Sequence, residues 1–209
     1  MSKLTPSELT QLFVTELYRA DLSAQPDFDV FLEEIDDACR AFADEDEAGQ
    51  TWSQIKGYLG YTSYASLPDL PMRASVFADL KAMIDPHVGH FADQIDLDLG
   101  GRKPKLDSMW INILEPMGHH SGHIHPHSII SGTFYVHVPE GASALRLEDP
   151  RLPLMMNAPL RKPGNPMRQS FVPVQPQAGT ILLWESWLRH EVPINMSDDV
   201  RISVSFNYG

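Results

Sequence analysis

The decapeptide Ile129 to Val138, IISGTFYVHV, alternates so strictly that it constrains the whole chain. Ile130, Gly132, Phe134, Val136 and Val138 fall on one face of a period-two strand, and Ser131, Thr133, Tyr135 and His137 fall on the other. A strand with an oily back and a polar front needs partners on both edges and a core behind it. The sequence around it supplies them. After Gly100 and Gly101, short runs bounded by Pro, Gly and Asn predict strands at Ser108 to Leu114, Ala144 to Leu147, Phe171 to Val174, Thr180 to Trp184, His190 to Pro193 and Arg201 to Tyr208. Many short strands with helices confined to the front of a chain predict a mainly β fold, a sandwich or jelly-roll barrel buttressed by helices.

Before Gly100 the periodicity is helical in two places. Phe28, Phe31, Leu32, Ile35, Ala38 and Phe42 keep one apolar face after Pro26 and Asp27. Val76, Phe77, Leu80, Met83, Ile84, Val88 and Phe91 predict a second helix between Pro71 and Asp93, strained by Pro86 and Gly89. Leu12 to Tyr18, following Pro6, is rich in β-formers and predicts a first strand, which as an edge would leave homodimer pairing open. The acidic stretch Asp44 to Glu47 reads as solvated loop, because a helix C-terminus disfavours anions. Thr51 to Leu70, with one Trp, three Tyr and two Gly, also reads as loop, either a lid on the core or a cleft wall. Asp149 to Gln169 carries five prolines, and a connection of that length is expected to be a functional flap or mobile insert. The 209 residues suit one domain, a helical support region over 1–100 and a β core over 101–209.

Composition narrows the function. Sixteen basic against 28 acidic residues give a formal charge of −12, which argues against nucleic acid or an anionic membrane surface as partner. The single Cys39 forbids an internal disulfide and, on a helical stretch, reads as a buried structural thiol. The start MSKLTPSELTQ lacks an apolar core of signal-peptide length, and no run approaches a membrane span, so a soluble cytoplasmic protein is expected.

The chemistry concentrates in histidines. Of nine in the chain, six fall between His119 and His137, where proportion would place about one. Such clustering indicates a transition-metal or proton-transfer site, or else a solvated polar loop. His123 and His125, two residues apart in extended chain, project to the same side, with His127 as a competing ligand beyond Pro126. His87 and His90, on the second helix, read as surface or internally satisfied. On the last strand, alternation places Arg201, Ser203, Ser205 and Asn207 opposite Ile202, Val204 and Phe206. A guanidinium on the polar face of a core strand is costly without a partner, and that strand offers no acid. A small-molecule carboxylate would fit the fork of Arg201 with the hydroxyl of Ser203 beside it.

The order His123-Ile124-His125, then SGTFYV, then a proline-rich loop, then GTILLWESWLRH and RISVSFN resembles the double-stranded β-helix oxygenases dependent on Fe(II) and 2-oxoglutarate, particularly their bacterial and phage branch. The resemblance covers about the last hundred residues closely. It implies a jelly-roll core, His123, His125 and His190 as catalytic metal ligands, and Arg201 with Ser203 as the clamp on 2-oxoglutarate. Tyr135 and Asn112 are implied as further cosubstrate contacts. The implied activity couples oxidative decarboxylation of 2-oxoglutarate to hydroxylation of a small-molecule or peptide substrate. In the family the second ligand is usually an acid, and here it is His125. That departure keeps two other readings open, a three-histidine cupin-type dioxygenase without cosubstrate and a non-catalytic metal-binding barrel. Trp184 and Trp187, flanking the turn before His190, are placed equally well in core packing or a substrate wall.

Overall fold

In a computed structural model, which describes residues 8–156 and 159–209, the long helices form where the apolar spacing places them. Helix α1 spans Phe28–Glu45 and turns Phe28, Phe31, Ile35 and Cys39 inward. Helix α3 spans Ser75–Gln94 and buries Val76, Phe77, Leu80, Ile84, Val88 and Phe91. It runs on through Pro86, which has no N–H to offer the carbonyl one turn back. Between them lies α2, Glu47–Ile55. Among the described residues no helix is long and apolar enough to cross a membrane.

Among the described residues ten strands follow in order as β1 Tyr18–Asp21, β2 Gly60–Thr62, β3 Leu106–Leu114, β4 His120–His123, β5 Ile130–His137, β6 Leu145–Glu148, β7 Phe171–Val174, β8 Thr180–Glu185, β9 His190–Val192 and β10 Arg201–Tyr208. They form an antiparallel six-stranded sheet in the order β1-β8-β5-β10-β3-β2 and a four-stranded one in the order β4-β9-β6-β7. The crossing of chain order within each sheet is that of the double-stranded β-helix, the jelly roll expected from the sequence. One core joins the helices to the outer face of the large sheet through Ile111, Phe134, Ile181, Ile202, Val204 and Phe206. A second, smaller one lies between the sheets, with Leu114, Tyr135, Leu182 and Trp184 meeting Leu145, Leu147, Leu188 and Val192.

Three expectations for the front of the chain need correction. Leu12 to Leu17 is not strand: only Tyr18 of that run enters β1, and Leu12, Phe13 and Val14 are exposed. The free edge of β8 is taken by Tyr18–Asp21, so the preceding β-formers have no partner to pair with. They offer no edge for a dimer of the kind anticipated. Pro6, taken as the breaker before that strand, lies outside the described residues.

The acidic stretch Asp44 to Glu47 is not a loop either. Helix α1 continues to Glu45, and Asp46 opens α2 by accepting from the Gly49 amide at 3.0 Å. Its carboxylate also accepts from the hydroxyls of Tyr61 and Ser66, which ties α2 to β2 and the segment beyond. Thr51 to Leu70, expected as loop, therefore contains the second half of α2 and all of β2. The helix escapes an apolar-period search because the residues it buries are Gly49 and Ser53. A Cβ on Gly49 would lie 2.8 Å from the Tyr61 ring.

In the later half, the connection from Asp149 to Gln169 contains single turns at Leu152–Leu154 and Pro166–Arg168. Residues 157 and 158 of it lie outside the described residues. Cys39 is fully buried.

Candidate metal and cosubstrate site

The histidine-rich segment is itself a strand. Strand β4 pairs antiparallel with β9, so that His123 stands directly opposite His190. His125 follows where the chain leaves β4, its backbone N–H donating to Ser186 O at 3.0 Å. The result brings together three histidines from two distant parts of the sequence: one nitrogen from each of His123, His125 and His190 lies within 4.8 Å of the others. The ring centres are 4.4 to 5.1 Å apart. His127, at a left-handed φ of 74°, is exposed and outside this group.

The donor chemistry suits a transition metal. In each ring Nδ1 already faces an oxygen: Ser121 O at 2.8 Å for His123, Leu188 O at 2.8 Å for His190, and Asn207 Oδ1 at 2.6 Å for His125. A proton on Nδ1 satisfies all three, which leaves every Nε2 lone pair for a cation. Burial, foremost, depresses the basicity of His125 to a pKa of about 4 and of His190 to about 3. His123 is depressed by burial too. The site thus stays neutral and ready to ligate at ordinary pH.

His125 is held by more than one contact. Ser131 Oγ lies 3.0 Å from its Nδ1 and 2.8 Å from Asn207 Oδ1, and is itself bonded to Ser186 Oγ at 2.7 Å. Such a support fixes the ring plane of a ligand. Asn207 shares the polar face of β10 with Arg201 and Ser203, which was a usable signal for it in the sequence. His120, stacked on His123 with centres 4.4 Å apart, was not singled out. It packs edge-on against Tyr58.

Behind the histidines a narrow cavity runs between the two sheets. Asn112, Thr133, Ser203, Ser205 and Arg201 give it polar walls, and Leu114, Leu145, Trp184 and Val192 make the rest apolar. Arg201 is 4% exposed. Among the described residues its guanidinium forms no ion pair, and its Nε has no hydrogen-bond partner. Its guanidinium carbon lies 5.0 Å from the centre of the Tyr135 ring. The Tyr135 hydroxyl and the Trp184 indole N–H are likewise buried without partners. Burial raises the Tyr135 pKa, against the opposing pull of Arg201.

Asn112 lines the same cavity but is largely engaged. Its Oδ1 accepts from Thr62 at 2.9 Å and its Nδ2 donates to Ser205 at 3.0 Å. Trp184 packs against His190, ring centres 4.8 Å apart, while Trp187 is 46% exposed.

On the other side of the histidines a second, wider cavity of about 460 Å³ opens outward. Trp52, Tyr58, Tyr64 and Trp110 wall it. Three of these four come from the stretch read as loop, which forms a cleft wall rather than only a cover for the core. None of the described residues of the proline-rich connection lines either cavity.

Comparison with known proteins agrees with this architecture. The model of a family described as "Putative 2OG-Fe(II) oxygenase" matches residues 108–207. The chain is similar in structure to SnoN, a non-heme alpha ketoglutarate dependent epimerase from nogalamycin biosynthesis, with a TM-score of 0.61 and 14% identity over 93% of this chain and 78% of that one. A prolyl-4-hydroxylase from Pseudomonas putida is similar at a TM-score of 0.58 and 14% identity, over 93% of this chain and 92% of that one. An oxidoreductase of the 2OG-Fe(II) oxygenase family from Burkholderia pseudomallei overlaps 65% of this chain at a TM-score of 0.46 and 14% identity, and the chain spans 58% of that protein's length. No curated protein matches the sequence. Residues 108–207 are thus similar to the 2OG-Fe(II) oxygenases, and the double-stranded β-helix of the chain is the fold of these solved neighbours.

Proposed function

We propose that the protein is an iron oxygenase that couples oxidative decarboxylation of 2-oxoglutarate to hydroxylation of a small molecule or peptide. His123, His125 and His190 would hold Fe(II), and Arg201 with Ser203 would hold the far carboxylate of 2-oxoglutarate. The observation that carries this reading is Arg201, a buried guanidinium in the cavity behind the histidines with no acid of its own among the described residues. A fixed, unpartnered cation between apolar walls has a strong preference for an anion brought in from outside. SnoN, whose fold this chain shares, has been solved in complex with Fe3+, alpha ketoglutarate and nogalamycin RO.

Bound at the three imidazoles, iron would supply the activation of dioxygen and the oxidising power for a C–H bond. The protein's residues set the conditions. Arg201 orients the diacid by its fork, and the Ser203 and Tyr135 hydroxyls stand beside that fork as further donors. Leu114, Leu145, Trp184 and Val192 exclude water from its carbon chain. Asn207 and Ser131 hold the His125 ring, so that the donor replacing the family's usual acid is as rigid as its neighbours. Because all three ligands are neutral, the metal keeps its full charge toward the cosubstrate dianion.

The test is spectroscopic. Fe(II) and 2-oxoglutarate added to the protein without oxygen should give a visible metal-to-ligand charge-transfer band, and Arg201→Ala should abolish it. No band at saturating ligand would overturn the proposal. Oxygen uptake indifferent to 2-oxoglutarate would favour the cosubstrate-free dioxygenase, and metal-dependent melting without oxygen uptake would favour a binding module.

A further inference from the structure

The outer cavity differs from the rest of the surface in its charge. The chain has 28 acidic residues, yet no Asp or Glu is among the described residues that line this cavity. Lys56 and His119, both exposed, are among the described residues that line it. Inward from them the wall is aromatic and continuous. Trp52 meets Tyr64 with ring centres 6.2 Å apart, Tyr64 meets Trp110 edge-on at 5.3 Å, and Trp110 lies 5.6 Å from His125. Trp110 is buried, whereas Tyr64 is 53% exposed, so the aromatic wall runs from solvent down to the histidines.

A cavity of this size and openness suits a small molecule. Aromatic walls by themselves serve either flat apolar groups or organic cations. Cation recognition gains from a nearby carboxylate, and here there is a lysine instead. We infer that the outer cavity receives a small organic anion with a flat apolar or aryl body, its anionic group at Lys56 and its apolar end against Trp110 beside the histidines. The inference rests on the proposed function only for what happens next, since that pose presents the apolar end's C–H bonds to the metal site.

Calorimetric titration of the full chain with three probes of equal length, 3-phenylpropionate, 3-phenylpropionamide and 3-phenylpropylamine, tests it. Titrations run once metal-free and once under anaerobic Fe(II) and 2-oxoglutarate. The carboxylate is expected to bind about tenfold more tightly than the amine, with the amide between, as a single rim charge would give. Lys56→Glu, an exposed change that leaves the core alone, should erase or invert that order, and Trp52→Ala should weaken all three. Arg201→Ala should leave 3-phenylpropionate binding in place, because the probe sits outside the inner cavity. Equal binding of the three probes, preference for the amine, no binding, or loss of 3-phenylpropionate binding in Arg201→Ala each overturns the inference. The charge-transfer band is read separately, so failure of the probes with the band present refutes the anion site alone. Probe binding without the band refutes the oxygenase reading alone.

Discussion

The two faces of the six-stranded sheet are buried to nearly the same depth and are built from alternate residues of the same strands. On β10, Ile202 and Val204 are 0% exposed, and their neighbours Arg201 and Ser203 are 4% and 3% exposed. Under the helices the buried groups are hydrocarbons that find one another. Between the sheets a guanidinium, amides and hydroxyls lie among the apolar side chains, and Arg201 Nε and the Tyr135 hydroxyl have no partner among the described residues. Depth is therefore not what separates the apolar face from the polar one. Satisfaction is: the apolar face is complete in the protein alone, whereas Arg201 Nε and the Tyr135 hydroxyl on the polar face find no partner among the described residues.

That contrast can be broken by substitution. Phe77→Ala, on the helix side, should lower stability by about 3–5 kcal/mol in denaturant titration while leaving the charge-transfer band intact at permissive temperature. Arg201→Ala should do the reverse. Loss of 2-oxoglutarate affinity of about 2–5 kcal/mol is expected in titration, with no fall in melting temperature, since the guanidinium has no ion-pair partner among the described residues to strand. A marked fall in its melting temperature would show that this face, too, stabilises the apoprotein.

Asn207→Ala probes the boundary between the two roles. It releases the His125 ring and should weaken metal binding about 10- to 100-fold in chelator competition, with the band surviving at high metal. The smallest effect is expected at the periphery. Asp46→Ala removes the α2 cap and two hydroxyl contacts, for a loss of about 1 kcal/mol in thermal stability, and it should loosen probe binding in the outer cavity more than 2-oxoglutarate binding in the inner one.

Much of the polar face between the sheets could be read from the sequence, because strands report their sidedness directly. Alternation along Arg201 to Tyr208 and Ile129 to Val138 assigned each residue to a face. The missing acid on the last strand sets Arg201 apart in the sequence itself. Reading became harder where a residue's role depends on a partner far along the chain. Strand β4 exists because β9 lies beside it, and nothing in HSGH announces a strand. Helix α2 turns Gly49 and Ser53 inward, so its periodicity is written in small residues rather than apolar ones. The opposite error occurred at Leu12 to Leu17, where local β preference was strong and no edge was free. Trp52, Tyr58 and Tyr64, from the helical support region, wall the outer cavity.

Strand β10 is hydrogen-bonded on both sides, to β3 and β5, and its pairing with β5 shifts between Ile202 and Ser203, beside the arginine. Sliding it by one residue would drive Arg201 among the phenylalanines below the helices and turn Val204 toward the histidines. The polar series proposed to hold a ligand therefore doubles as an alignment key, penalising every slip of the strand by an odd number of residues. Selection for binding and selection against misfolding then act on the same four side chains, which would make them resistant to drift even in a descendant that had lost its chemistry.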